Sequence, residues 1–217
     1  MGEIINSGFK QLNVTSEQEE KTVLVFGVSR SGTSMLAEIL VNIGVNMGDK
    51  ALAPLYEDFE IYSALEDSDK PIKKFKEVVL RKNDLHKVWG WKRPSTLNHF
   101  NKIAKHIRNP HIIIPFRDYI TISMRAEISG GREFKKHFQE VHNFRYQKIV
   151  KFIIENDYPM LLASYEKSIL NPKDLVSSII DFLDLNIEEE SKQRAISRVE
   201  ANNPRYHQAK SHQHHGK

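Results

Sequence analysis

The stretch Lys21 to Leu40 constrains the fold more than any other: an apolar β-prone run, a Gly/Ser-rich loop and an amphipathic helical pattern follow one another directly. Val23 to Phe26 show no polar alternation and so suit a parallel strand buried on both faces. Met35, Leu36, Ile39, Leu40 and Ile43 recur at helical spacing. Between them, Gly27-Val-Ser-Arg-Ser-Gly32-Thr33-Ser34 has the glycine spacing of a nucleotide-binding P-loop. In such a loop two glycines let the chain turn, so that backbone N–H groups face phosphate oxygens at the positive end of a helix. One position departs. Thr33 stands where a nucleoside triphosphatase keeps the lysine that works on the terminal phosphates with magnesium, and the nearest cation is Arg30, inside the loop.

The rest of the chain supplies matching layers. Pro110 to Phe116 is a second apolar, β-branched run; it ends at Arg117-Asp118 and passes into a helical pattern from Tyr119 to Glu127. His86 to Trp91 reads as a short strand stopped by Pro94, with Ser95 as the N-cap of the next helix. Lys92 therefore falls at a strand's C-terminal end, where ligands bind in open α/β sheets. Tyr158 to Pro172 gives a further buried strand and a turn, followed by a helix over 173–185. Helical patterns also cover Tyr56 to Leu65, Asp69 to about Arg81, and Glu133 to Asn156, whose Phe134, Phe138, Phe144 and Phe152 are assigned to the core. Strands near 22–27, 87–91, 111–116 and 160–163, alternating with helices, predict an α/β fold: three layers, with a central mainly parallel sheet flanked by helices. Residues 1–20 are expected to be a loose lead-in, 21–200 the domain, and 201–217 a tail or a lid carrying Arg205, Tyr206, His207 and Lys210.

Composition narrows the function. A chain of 217 residues fits one domain, and no apolar run approaches the ~20 residues that span a bilayer. The polar stretch Met1 to Glu20 has no signal- or transit-peptide pattern. The absence of cysteine rules out disulfides and thiolate chemistry and agrees with a cytoplasmic protein. The formal charge of +4 comes from basic residues interleaved with acids, which suits small anionic ligands without calling for nucleic acid. His212-Gln-His-His215 reads as a solvated tail, and no metal is expected.

Several of these elements together resemble the sulfotransferases that use 3′-phosphoadenosine 5′-phosphosulfate (PAPS). Ser29-Arg30-Ser31-Gly32-Thr33-Ser34 is similar to their Pro-Lys/Arg-Ser-Gly-Thr-Thr/Ser loop, with Ser29 in place of the proline. Gly44 to Asp49 followed by Tyr56-Glu57-Asp58 is similar to a "G-V-x-M-G-D" turn with an aromatic-acidic helix start. Trp89 to Pro94 resembles "W-G-x-K-D-P", with Arg93 replacing the acid. Arg117-Asp118 at a strand end and the later Tyr165-Glu166 segment complete a resemblance that runs from Lys21 to Leu185.

The resemblance implies that the loop binds the 5′-phosphosulfate and that Arg117, with Ser123 or Arg125, holds the 3′-phosphate. Glu57 or Asp58 would point toward the acceptor, with Glu57 taking its proton, while Arg30 and Lys92 stabilise the departing phosphate oxygen. Tyr165 either approaches the adenosine or is a structural corner. The implied acceptor is a small molecule or carbohydrate. Two other readings share the scaffold: a P-loop kinase of a small metabolite, which needs a lysine after Gly32, and a non-catalytic nucleotide-binding module. For Glu57, Asp58 and Glu60 the alternative role is to complement a helix N-terminus.

Overall fold

Short apolar runs set the strands. The computed structural model describes residues 6–14, 18–66 and 69–200. Its strands are β1 (Phe9–Leu12), β2 (Lys21–Val25), β3 (Val88–Lys92), β4 (Pro110–Phe116) and β5 (Met160–Ser164). They form one sheet in the order β1-β5-β4-β2-β3, parallel throughout except for β1, which runs antiparallel to β5 at the edge. The α-helices are α1 (Thr33–Asn42), α2 (Phe59–Glu66), α3 (Pro71–Leu85), α4 (Thr96–Ile103) and α5 (Tyr119–Gly130). After them come α6 (Phe134–Glu140), α7 (Tyr146–Glu155), α8 (Tyr165–Leu170), α9 (Pro172–Leu183) and α10 (Glu189–Ser197). No helix among the described residues is long and apolar enough to cross a membrane.

Because strand side chains alternate between faces, β2 feeds two cores. Val23 and Val25 join Ile113, Leu161 and Ala163 under α1, α9 and α10. Leu24 and Phe26 join Trp89, Trp91, Ile112, Ile114 and Met160 under the helices of the opposite layer, among them α2, α3, α4 and α7. Layers and sheet are those the sequence predicts. From β2 the chain moves to β3 on one side, whereas from β4 it moves to β5 on the other. A crevice therefore opens between the C-terminal ends of β2 and β4, the place where open α/β sheets bind ligands.

Four details differ from the sequence expectation. The lead-in is not loose throughout, because Phe9–Leu12 pairs with β5 and lends Phe9 and Leu12 to the two cores. The turn after β5 is the short helix α8, whose first turn Ser164 caps by accepting from the Lys167 N–H at 3.3 Å. A helix over Glu189–Ser197 follows α9 without having been anticipated. The long helical stretch after Glu133 is interrupted by one turn of π-helix, Val141–Arg145. That turn slips the helical face by a residue, and Phe144, assigned to the core, is 64% exposed. The expected tail or lid over 201–217, with Arg205, Tyr206, His207, Lys210 and the His212–His215 cluster, lies outside the described residues.

Candidate active site

The phosphate loop is shaped by two residues with left-handed backbone, Arg30 (φ 74°) and Gly32 (φ 108°). Gly32 is dictated twice over: its φ disfavours any side chain, and an added Cβ would lie 2.6 Å from the Tyr165 ring. The turn closes with the Ser31 N–H donating to the Val28 carbonyl at 3.0 Å, and α1 begins at once with no acidic residue in its first turn. The helix start thus keeps its positive end for an anion. Ser31 is fully buried, and its Oγ has no hydrogen-bond partner among the described residues.

Arg117 leaves the end of β4 and is held from three directions. The Tyr146 hydroxyl accepts from the Arg117 N–H at 2.8 Å and donates to the Arg117 carbonyl at 2.6 Å, fixing the strand-to-helix corner. Burial pushes that phenol up to about 12, with the hydrogen bond to the Arg117 backbone acting in the opposite direction. The guanidinium lies 3.9 Å over the Tyr165 ring and donates to the Arg30 carbonyl at 3.1 Å, which ties the two halves of the crevice together. Its Nε is buried without a hydrogen-bond partner among the described residues. A buried unpaired donor on a cation is costly in the free protein and suits an anionic ligand.

Of the two candidates for its helper, Arg125 lines the cavity, while Ser123 is fully buried and sits 3.4 Å from His137 Nδ1. The Arg125 guanidinium is lowered below its ordinary value by burial and by Arg117 nearby. That of Arg30 is lowered by burial, Arg125 and Arg132, with Glu57 offsetting part of the effect. Mutually repelling guanidiniums gathered at one wall are an arrangement that a bound polyanion relaxes.

On the other side of β2, Lys92 pairs with Val25 in the sheet and Arg93 follows, its N–H donating to the Val25 carbonyl at 3.0 Å. Lys92 Nζ meets Glu57 Oε1 at 2.9 Å, and Arg93 Nη1 meets Glu57 Oε2 at 3.2 Å. Burial lowers the Lys92 ammonium below the usual lysine range, and the Glu57 charge opposes that shift. Asp58 turns the other way. It is buried 3.0 Å from Lys82 Nζ and accepts from the Glu60 N–H at 2.9 Å, a helix-start role with no part in the cavity wall. Ser95 holds the N-cap position of α4 but donates its hydroxyl to Glu66 at 2.8 Å instead of capping.

These groups surround one cavity of about 850 Å³. Of the residues proposed from sequence, Ser29, Arg30, Gly32, Thr33, Ser34, Glu57, Lys92, Arg117 and Arg125 line it, and Ser31 and Ser123 do not. Sequence reasoning gave no site role to Arg93, Arg132, Arg145 and Phe144, which also line it, or to Tyr146. Only the Arg93 departure from an acidic position carried a local signal. Among the described residues no three His, Asp or Glu side chains gather so as to hold a metal ion.

The family model described as Sulfotransferase domain matches residues 20–217. Among solved structures, the fold is similar to the sulfotransferase domain from the Synechococcus PCC 7002 olefin synthase. There the TM-score is 0.57 at 16% identity, over 89% of this chain and 82% of that one. It is similar too to the sulfotransferase domain from the curacin biosynthetic pathway, with TM-score 0.56 at 15% identity, over 79% and 76% of the two chains. Retinol dehydratase in a complex with retinol and PAP gives TM-score 0.51 at 15% identity, over 86% of this chain and 66% of that one. No curated protein matches the chain by sequence.

Proposed function

The chain belongs to the sulfotransferase domain family, and from that premise we propose that it moves a sulfuryl group from PAPS to a hydroxyl or amine of a small-molecule or carbohydrate acceptor. The backbone N–H groups of Gly32 to Ser34, with Arg30, receive the 5′-phosphosulfate. Arg117 and Arg125 take the 3′-phosphate. The acceptor oxygen or nitrogen attacks sulfur in line while the bond from sulfur to the 5′-phosphate oxygen breaks, and the electron pair leaves on that oxygen beside Lys92 and Arg30. The acceptor proton passes to Glu57, 2.9 Å from Lys92. A sulfuryl group carries less negative charge than a terminal phosphoryl group, so fixed N–H dipoles and guanidinium suffice at the loop. The lack of cysteine fits action in the cytoplasm.

The observation that supports this reading over a kinase is the convergence of Arg30, Arg117 and Arg125 on a P-loop that has Thr33 where a lysine would be. The PAP bound to retinol dehydratase adds to it. Adenosine 3′,5′-bisphosphate at about 100 times its Kd should raise the Tm by about 5–10 °C in EDTA. Labelled PAPS should be turned over. A larger shift from ATP-Mg, with no PAPS turnover, would hand the site to the kinase reading.

A further inference from the structure

We propose that Arg93 is a positioning residue for the transfer step: it holds the Glu57 carboxylate in place when Lys92 turns to the donor. This rests on the sulfotransferase reading above. Arg93 is 5% exposed and uses its whole guanidinium. Nε and Nη2 each donate to Glu66 on α2 at 2.7 Å, a two-pronged grip, and Nε also donates to Ser95 Oγ at 3.0 Å. The flat face lies 4.1 Å over the Tyr62 ring. The remaining prong, Nη1, reaches Glu57 Oε2 at 3.2 Å.

Each oxygen of Glu57 therefore has its own cation, and the two cations differ in kind. Lys92 is a point charge on a flexible stem, and the reaction gives it a second duty at the leaving oxygen. A lysine that moves toward the donor loosens its hold on Oε1. Arg93 has no such second duty, because Glu66, Ser95 and Tyr62 lock it to α2 and α4. Arg30, across the cavity on the phosphate loop, is a further charged group that interacts with Glu57. Glu57 itself precedes α2 and has no helical backbone to fix it, so Arg93 is the contact that keeps the carboxylate aimed through the step.

The test compares wild type, Arg93→Met and Arg93→Lys, the last keeping charge and stem but losing the fork. Labelled PAPS, with water as acceptor, gives the rate; adenosine 3′,5′-bisphosphate gives the affinity. Arg93→Met should lower kcat by about 10–100-fold, as misplaced reacting groups do, with bisphosphate affinity within twofold of wild type. The acid limb of its pH profile should move to higher pH, since losing a cation 3.2 Å away favours the protonated carboxyl. Arg93→Lys should recover the acid limb more fully than the rate. In crystals of the bisphosphate complexes, Glu57 should keep one orientation in wild type and lose it in Arg93→Met.

Unchanged rate, unchanged pH profile and an unmoved Glu57 would overturn the role of Arg93 while leaving the sulfotransferase reading intact. An inactive wild type that also gives the larger Tm shift with ATP-Mg would remove that reading instead. The crystal comparison would then still decide whether Arg93 orients Glu57.

Discussion

Replacing Gly32 by alanine separates two costs that the structure locates at different atoms. Gly32 and Gly44 both have left-handed backbone, at φ 108° and φ 89°, so alanine at either pays about 1–2 kcal/mol in conformation. At Gly44 a Cβ meets nothing within 4 Å, and the cost ends there. At Gly32 it lands 2.6 Å from Tyr165 Cδ2 and 3.2 Å from Cε2, so the ring must retreat by roughly 1 Å, an overpacking cost of about 1–3 kcal/mol. Calorimetry or thermal denaturation should show Gly44→Ala losing about 2–8 °C, and Gly32→Ala about twice that. Because Arg117 rests on the same ring, Gly32→Ala should also weaken adenosine 3′,5′-bisphosphate while Gly44→Ala leaves it alone. Adding Tyr165→Ala to Gly32→Ala should remove the extra penalty, giving a coupling of about 1–3 kcal/mol in a double-mutant cycle. Equal losses at the two glycines, or zero coupling, would refute the argument from the ring.

Arg117→Ala should weaken adenosine 3′,5′-bisphosphate by at least about tenfold and adenosine 5′-monophosphate far less, because the charge-assisted bonds lost are those to the 3′-phosphate; equal losses in titration calorimetry would place Arg117 elsewhere. Lys82→Met removes a fully buried ammonium 3.0 Å from buried Asp58 and should cost about 3–5 kcal/mol in denaturant unfolding. Adding Asp58→Asn should recover much of that loss, and a double variant as unstable as the single would mean that packing, not charge, holds Lys82.

What was legible in the sequence follows from how local the cause is. β2 and β4 could be read because a strand buried on both faces carries an apolar run without the polar alternation of a half-exposed strand, and the loop between β2 and α1 because its glycines have fixed backbone duties. Arg117 and Lys92 followed, since a strand's end fixes where the next residue emerges. β1 was not legible: four residues with two apolar side chains become a strand only because β5 offers an edge. The π-helical turn was hidden for a related reason. The pattern Phe134, Phe138, Val141, Phe144 reads as one face of a regular helix, and only the changed hydrogen bonding of Val141–Arg145 turns Phe144 outward to the cavity wall. The role of Tyr146 was hidden as well, because its partner is the backbone of a residue 29 positions earlier.

The adjacent acids Glu57 and Asp58 show how the site depends on a contact outside it. From sequence the two are interchangeable as acceptor-facing groups; their separation comes from three basic residues far along the chain. Lys82 is fully buried on α3, and an ammonium there requires carboxylates, which come from Asp58 just before α2 at 3.0 Å and Glu60 in its first turn at 3.4 Å. The Gly48 turn closes over the same place, since a Cβ at Gly48 would strike Asp58. With Asp58 committed to Lys82, the preceding residue has to point to the other side of the segment, where Lys92 and Arg93 wait at the end of β3. An ion pair that never touches the cavity thereby selects which of two neighbouring carboxylates enters it. The cation pair at β3 then determines how that carboxylate is aimed.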